Sequence, residues 1–183
     1  MFRYLNKTLK QKLGLLKISD EVMQTKEIVK RLEKRTDEIY WGMVFNNAIA
    51  NSTWLLNKSF YPGRWAAGYP LLYILYRIYN DIKPSNILEL GLGESTKLLY
   101  QYYKANPTCT IKIIEQDREW LDFFCNEFYD ISGYTSLIEI KKTIISDFEV
   151  NEYDNLISHI DGKQYDFICV DGPKGSQGIK LLI

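Results

Sequence analysis

Apolar positions along this chain fall into successive regimes, and each regime predicts a different kind of element. Ile18, Val22, Thr25, Val29, Leu32, Thr36, Ile39 and Met43 recur at alternating spacings of four and three. That period predicts one long helix carrying a coiled-coil seam, or a helix wrapped on the domain. Ahead of it, Leu5, Leu9, Leu13 and Leu16 stand at helical spacing among Lys7, Lys10, Lys12 and Lys17. Trp54, Phe60, Tyr61, Trp65, Tyr69, Tyr73, Tyr76 and Tyr79 follow, with a turn at residues 61–65 and a helix ending near Lys83-Pro84. Beyond Pro84 the rhythm changes to short apolar strands alternating with helical segments. Strands are predicted at residues 87–90, 110–115, 136–145 and 165–171, with helices after the first two, over 97–104 and from a cap at Asp117. Such alternation predicts an α/β fold with a mainly parallel sheet.

The first of these strands runs into Gly91-Leu92-Gly93-Glu94-Ser95-Thr96. A strand, a glycine turn and a helix in this order form a nucleotide-binding unit. The glycines let the backbone approach a ligand, and the helix N-terminus offers unpaired N–H groups. Thr96 stands where the dinucleotide fingerprint wants its third glycine. Glu89 lies two residues before Gly91 and changes which ligand is plausible. A carboxylate there repels a pyrophosphate and favours a cationic or amine-bearing ligand. Glu115 ends the second strand, 22 residues after Gly93 (115 − 93). Folds of this kind hydrogen-bond a ribose diol at that distance. A shift of two residues in the strand end would exchange the roles of Glu115 and Asp117. The fourth strand reads as continuously apolar, as a strand covered on both faces should. It ends on Asp171, at the carboxyl edge where open sheets bind ligands.

Glu89-Leu90-Gly91-Leu92-Gly93 resembles the first motif, acid–x–Gly–x–Gly, of the class I, Rossmann-like S-adenosylmethionine-dependent methyltransferases. That cofactor carries a sulfonium and an ammonium but no phosphate, which suits the acid. An NAD-binding turn is the second reading of the same residues. The resemblance covers residues 86–176, about half the chain. It implies that Glu89, Gly91 and Gly93 line the cofactor and that Glu115 holds its ribose. Asp147 then either meets the adenine amino group or caps the next element. Asp171 faces the transferred methyl group, where it orients the acceptor, acts as a general base or ligates a divalent metal, as in catechol-type O-methyltransferases. In this family the segment before the first strand often folds over the cofactor, so Tyr61, Arg64 and Trp65 become lid or acceptor-pocket residues by position. Right-handed crossovers and the family's switch point give a strand order of 3-2-1-4. The family fold has seven strands, whereas 12 residues follow Asp171 (183 − 171). The expected sheet is therefore C-terminally truncated relative to it, with the cofactor half legible and the acceptor half largely missing.

Two regions result: residues 1–83 as a helical arm with an aromatic cover, and 84–183 as an incomplete cofactor-binding domain. Hydrophobic content of 46% beside 25% charge is that of a soluble globular chain, and no apolar run approaches the roughly 20 residues of a membrane span. Cys109, Cys125 and Cys169 are scattered in apolar contexts, which predicts reduced thiols and a cytoplasmic chain without metal-ligand spacing. His159 reads as a surface residue. Net charge is zero, yet residues 1–35 carry ten Lys or Arg against four acids, a net of +6 (10 − 4). The arm therefore either lies on an anionic membrane surface or packs on its own or a partner chain, in which case it forms a homodimer. Arg64 and Arg77 are too few for a phosphate-tracking stripe, so nucleic acid is not expected as a partner.

The resemblance implies a methyltransferase acting on a small molecule or sugar, with surface-glycan synthesis as a setting that a membrane-facing arm would suit. The alternative is a non-catalytic, methyltransferase-like binding or assembly module that pairs through its N-terminal helix.

Overall fold

A computed structural model of the chain describes residues 8–9, 14–62, 68–145, 148–160 and 162–172. The chain divides into two compact units, Met1–Met43 and Val44–Ile183. Helix α1 (Leu15–Ile49) supplies most of the first unit. It is one uninterrupted helix, as its 4-3 spacing predicts. Ile18, Val22, Val29, Leu32, Ile39 and Met43 along it are all exposed. Of the basic leucine stripe before it, Leu5 and Leu13 lie outside the described residues. No helix among the described residues is long and apolar enough to cross a membrane.

The second unit begins with the last residues of α1, and Phe45 and Ile49 are buried there. Helix α2 (Tyr69–Arg77) has proline in its first turn and continues as a π-helical turn, Ile78–Ile82. Lys83 ends it in the left-handed conformation, φ 56°. The strands and helices then alternate in the predicted order: β1 (Asn86–Leu90), α3 (Glu94–Ala105), β2 (Thr110–Glu115), α4 (Arg118–Glu127) and β3 (Thr135–Leu137). A hairpin of β4 (Ile140–Ile145) and β5 (Phe148–Tyr153) follows, then the short α5 (Leu156–His159) and β6 (Phe167–Val170).

The main sheet has the order β3-β2-β1-β6 and is parallel throughout. This is the order 3-2-1-4 expected of the four parallel strands. Glu89 is in register with Ile113 on one side and Cys169 on the other. Asp166, just before β6, accepts hydrogen bonds from the N–H groups of Ser85 and Asn86, both at 2.8 Å, which fixes the β1–β6 register at its entry.

Two expectations need correction. The third strand, read as residues 136–145, is two strands. β3 stops at Leu137, and β4 leaves the sheet to pair antiparallel with β5. Nothing in the apolar alternation marks the change, because a hairpin strand with one covered face has the same period of two. The fourth strand is not covered on both faces among the described residues. It lies at the sheet edge, with Ile168 and Val170 exposed.

Alternation along β1 sends its residues to two cores. Ile87 joins Ile113, Cys169, Leu98, Leu99, Leu121, Phe124 and the aromatic rings of Phe45, Phe60, Tyr79 and Tyr102. Leu88 and Leu90 join Ile114, Ile138 and Tyr153 on the opposite face. Much of the aromatic run between Trp54 and Tyr79 is therefore core. Trp54 stacks on Tyr76 and Tyr79 on Tyr102, at ring-centroid distances of 5.5 Å and 4.9 Å. Burying each such ring or branched chain contributes about 1.5–3 kcal/mol. Glu89 shares the Ile87 side of β1, a carboxyl set in a largely apolar layer.

Candidate functional site

The carboxyl ends of β1, β2 and β6 meet at the glycine turn. Gly91 has φ 97°, a conformation that favours glycine, and its N–H donates to the Ile114 carbonyl at 2.8 Å. A Cβ at this position would fall 2.6 Å from the Gly172 nitrogen and 2.8 Å from its Cα. Gly91 is thus required twice, by its own backbone and by the chain leaving β6. Gly93 differs. Its φ of −174° is ordinary extended backbone, and a Cβ there would meet only the Asp171 Oδ2, at 3.5 Å. The protein itself leaves space at Gly93. Thr96, in the place of a third glycine, accepts from the Gly93 N–H at 3.1 Å through its hydroxyl and so closes the first turn of α3.

Glu89 is completely buried, and neither carboxylate oxygen has a hydrogen-bond partner among the described residues. The Ser95 and Thr96 hydroxyls lie near enough to favour its ionised form. The Ser95 hydroxyl donates to Asp171 Oδ2 at 3.0 Å, whereas the Thr96 hydroxyl accepts from the Gly93 N–H and keeps its own proton. Burial dominates and pushes the Glu89 carboxyl up to about 8, with Asp171 and Glu115 adding like-charge repulsion. The Tyr79 hydroxyl on the same side is also buried without a partner, and burial followed by Glu89 pushes its pKa well up.

Glu115 is buried too, but it is well satisfied. Its Oε2 accepts from the Leu92 N–H, and its Oε1 from the N–H groups of Gln116 and Asp117, all at 2.8 Å. Burial raises its pKa, while these three donors oppose the rise. Asp117 caps α4, accepting from the Trp120 N–H at 3.1 Å, so the strand end keeps Glu115 inside and Asp117 at the cap. Asp171 is half-buried at the end of β6, and burial raises its carboxyl against the opposing Ser95 hydrogen bond.

The structure therefore gathers Glu89, Gly91, Gly93, Glu115 and Asp171 around one turn. Asp147, Arg64 and Trp65 lie outside the described residues. Tyr61 is exposed, and its N–H donates to Glu94 Oε2 at 3.1 Å. No group of three or more His, Cys, Asp or Glu among the described residues is placed to hold a metal ion.

Several contributors escaped the sequence reading. Ser95 holds Asp171. Trp120 lays its indole over the turn, with Nε1 donating to the Leu92 carbonyl at 2.8 Å. Lys97 is buried against Glu94 at 3.1 Å, bonds the Ser59 carbonyl, and lies 4.5 Å from the Phe128 ring centroid. A lysine on the second turn of a helix looks like a solvated charge; only Glu94 three residues earlier hinted at a pair. Gly172 had a legible signal, since a glycine follows the acid that ends a parallel neighbour of β1.

No family model matches the chain, and neither a curated protein nor a solved structure matches it. The class that stands is a mixed α/β chain with a four-stranded parallel sheet and a helical N-terminal region.

Proposed function

We propose that the second unit is a Rossmann-like cofactor domain of the S-adenosylmethionine-dependent methyltransferase type, acting on a small-molecule or sugar acceptor. One observation carries this reading: Glu89, wholly buried beside the glycine turn with both oxygens unpartnered. Burial without a partner keeps this carboxyl protonated, and a cationic ligand group would supply the counter-charge that lets it ionise. The neighbouring carboxyls of Asp171 and Glu115 make the same turn hostile to a pyrophosphate, which disfavours the dinucleotide alternative.

The residues present fit this cofactor at Glu89, where a positive group would be held, and at Gly93, where a ligand can approach backbone without meeting a side chain. When bound, the cofactor supplies an activated methyl group. The protein's own work is then to align the acceptor and receive its proton. Asp171 suits both tasks, since Ser95 fixes its Oδ2 and partial burial makes it more basic than an exposed aspartate. Glu115 has one carboxylate lone pair not used by the three backbone donors, enough for a single ribose hydroxyl. The three cysteines are free, which supports a reducing, cytoplasmic setting.

A second reading, a non-catalytic binding or assembly module, draws support from the closed state of the same turn. Glu115 is nearly saturated by backbone, and Trp120 bonds Leu92. Calorimetric titration with S-adenosylmethionine and S-adenosylhomocysteine separates the two. Binding that weakens by roughly 10- to 150-fold in Glu89→Gln, the loss of about 1.5–3 kcal/mol for a charge-assisted contact, supports the cofactor role. An absence of heat at millimolar ligand refutes it and leaves the second reading.

A further inference from the structure

Helix α1 presents an apolar stripe that is exposed among the described residues. Ile18, Val22, Val29, Leu32, Ile39 and Met43 are between 46% and 67% exposed, and they fall on one 3.5-residue period. A helix of this length in water draws its stability mainly from packing an apolar face, so the stripe calls for a partner. We propose that the partner is a second copy of this chain, joined through α1 in a parallel, in-register, two-stranded coiled coil.

Three observations favour that occupant. The seam's polar members, Thr25 and Thr36, have their hydroxyls turned back onto the carbonyls of Glu21 and Leu32, at 2.7 Å and 2.9 Å. Their hydroxyls are satisfied inside the helix, so packing them against a partner leaves no unpaired donor. Next, the heptad phase puts Val22, Val29, Thr36 and Met43 at a positions and Ile18, Thr25, Leu32 and Ile39 at d positions. Val22 and Val29 at a with Leu32 at d, in the middle of the seam, is the combination that favours two parallel strands. Finally, one pair along the seam's edges is self-complementary. Glu21 at a g position faces Lys26 at the following e position of a parallel partner, and the two-fold axis makes the pair twice. Both side chains lie on an exposed stretch of helix. The seam is bordered by Glu21 and Glu33 as well as by Lys26 and Arg35, a mixed border rather than a uniformly basic one.

The test uses the full chain. Sedimentation equilibrium should give twice the 21.5 kDa of one chain. Leu32→Glu should raise the dimer dissociation constant at least tenfold, with the helical circular dichroism of the second unit kept. Glu21→Lys and Lys26→Glu should each weaken the dimer several-fold, and the double variant should restore it. Leu32→Cys should form an inter-chain disulfide under mild oxidation that the parent, with its three native thiols, does not. A monomeric mass, or a trimer, overturns the proposal. So does a dimer indifferent to Leu32→Glu. A Leu32→Cys dimer that fails to cross-link, with no rescue by the charge-swapped pair, points to antiparallel strands and equally overturns it. Binding to anionic vesicles by a chain that stays monomeric assigns the stripe to a lipid surface instead.

Discussion

Gly91 and Gly172 meet backbone to backbone, so that a Cβ on Gly172 would lie 3.1 Å from the Gly91 Cα. The contact joins the end of β1 to the chain leaving β6 and leaves no room for a side chain between them. The glycine turn is therefore a packing device in its own right.

A graded response to alanine follows. Gly91→Ala combines left-handed backbone strain with a contact under 3 Å, and it should cost at least about 1–3 kcal/mol. Gly172→Ala needs its neighbour to give by a few tenths of an ångström and should cost less. Gly93→Ala should leave unfolding nearly unchanged while weakening any ligand that approaches the turn. Urea unfolding of the three variants checks the order, and a Gly93→Ala loss matching that of Gly91→Ala would contradict it.

The Glu89 carboxyl sets a pH dependence of known sign. Its pKa lies near 4.5 in an ordinary glutamate and about 8 in the fold. Between those values the folded chain keeps a proton that the unfolded chain has lost. The contribution of this group is thus fully present below 4.5 and is lost as pH rises toward 8, by about 1.4 kcal/mol per pH unit. Asp171 and Glu115, also raised, slope the same way. Glu89→Gln removes its own share only. Urea midpoints at about pH 5 and about pH 8 should show the variant gaining on the parent as pH rises; parallel pH profiles would mean that Glu89 is ionised in the fold.

Glu115→Ala should act first on stability. It strips acceptors from the N–H groups of Leu92, Gln116 and Asp117, at a cost of about 1–3 kcal/mol for each that stays dry. Faster amide exchange at Leu92 and Asp117 would show it. Unchanged exchange there would mean that water replaces the carboxylate without penalty.

Lys97 and Glu94 should behave as a unit. Their side chains are 3% and 12% exposed, so Lys97→Met leaves a carboxylate stranded and should cost about 3–5 kcal/mol. Adding Glu94→Gln should recover much of that loss. A double-mutant cycle with no coupling would show that the pair is solvated in solution.

The strands β1, β2 and β6 were readable because each is a short apolar run bounded by turn chemistry; their order followed from right-handed crossovers together with the switch point that the family resemblance implied. The gathering of Glu89, Glu115 and Asp171 was readable for a related reason: residues ending parallel neighbours share an edge. The β3–β4 break was not. Ile138 and Ile140 keep a period of two across the break, while the partner strand changes from β2 to β5. The exposed face of β6 was also hidden, since an apolar run states what a strand can bury and not what stands beside it. Trp120 over Leu92 and Lys97 against Phe128 depend on how helices α3 and α4 face the turn, information spread over many residues. Glu89 was singled out from sequence for its charge. That both its oxygens would be buried without a hydrogen-bond partner could be seen only in the packed structure.

The clasp of Asp166 on Ser85 and Asn86 joins residues 81 and 80 positions apart. On a ribosome, β1 can pair with β2 within about 25 residues of its own synthesis, whereas its other edge must wait for β6. At about 5–20 residues per second that interval is roughly 4–16 s. During it the chain presents a bare strand edge beside Glu89, at a stage when the buried carboxyl is still open to water. Closure by the β6 segment then becomes the late, slow event typical of distant parallel pairing. A nascent chain halted before Phe167 would be held in its most aggregation-prone form.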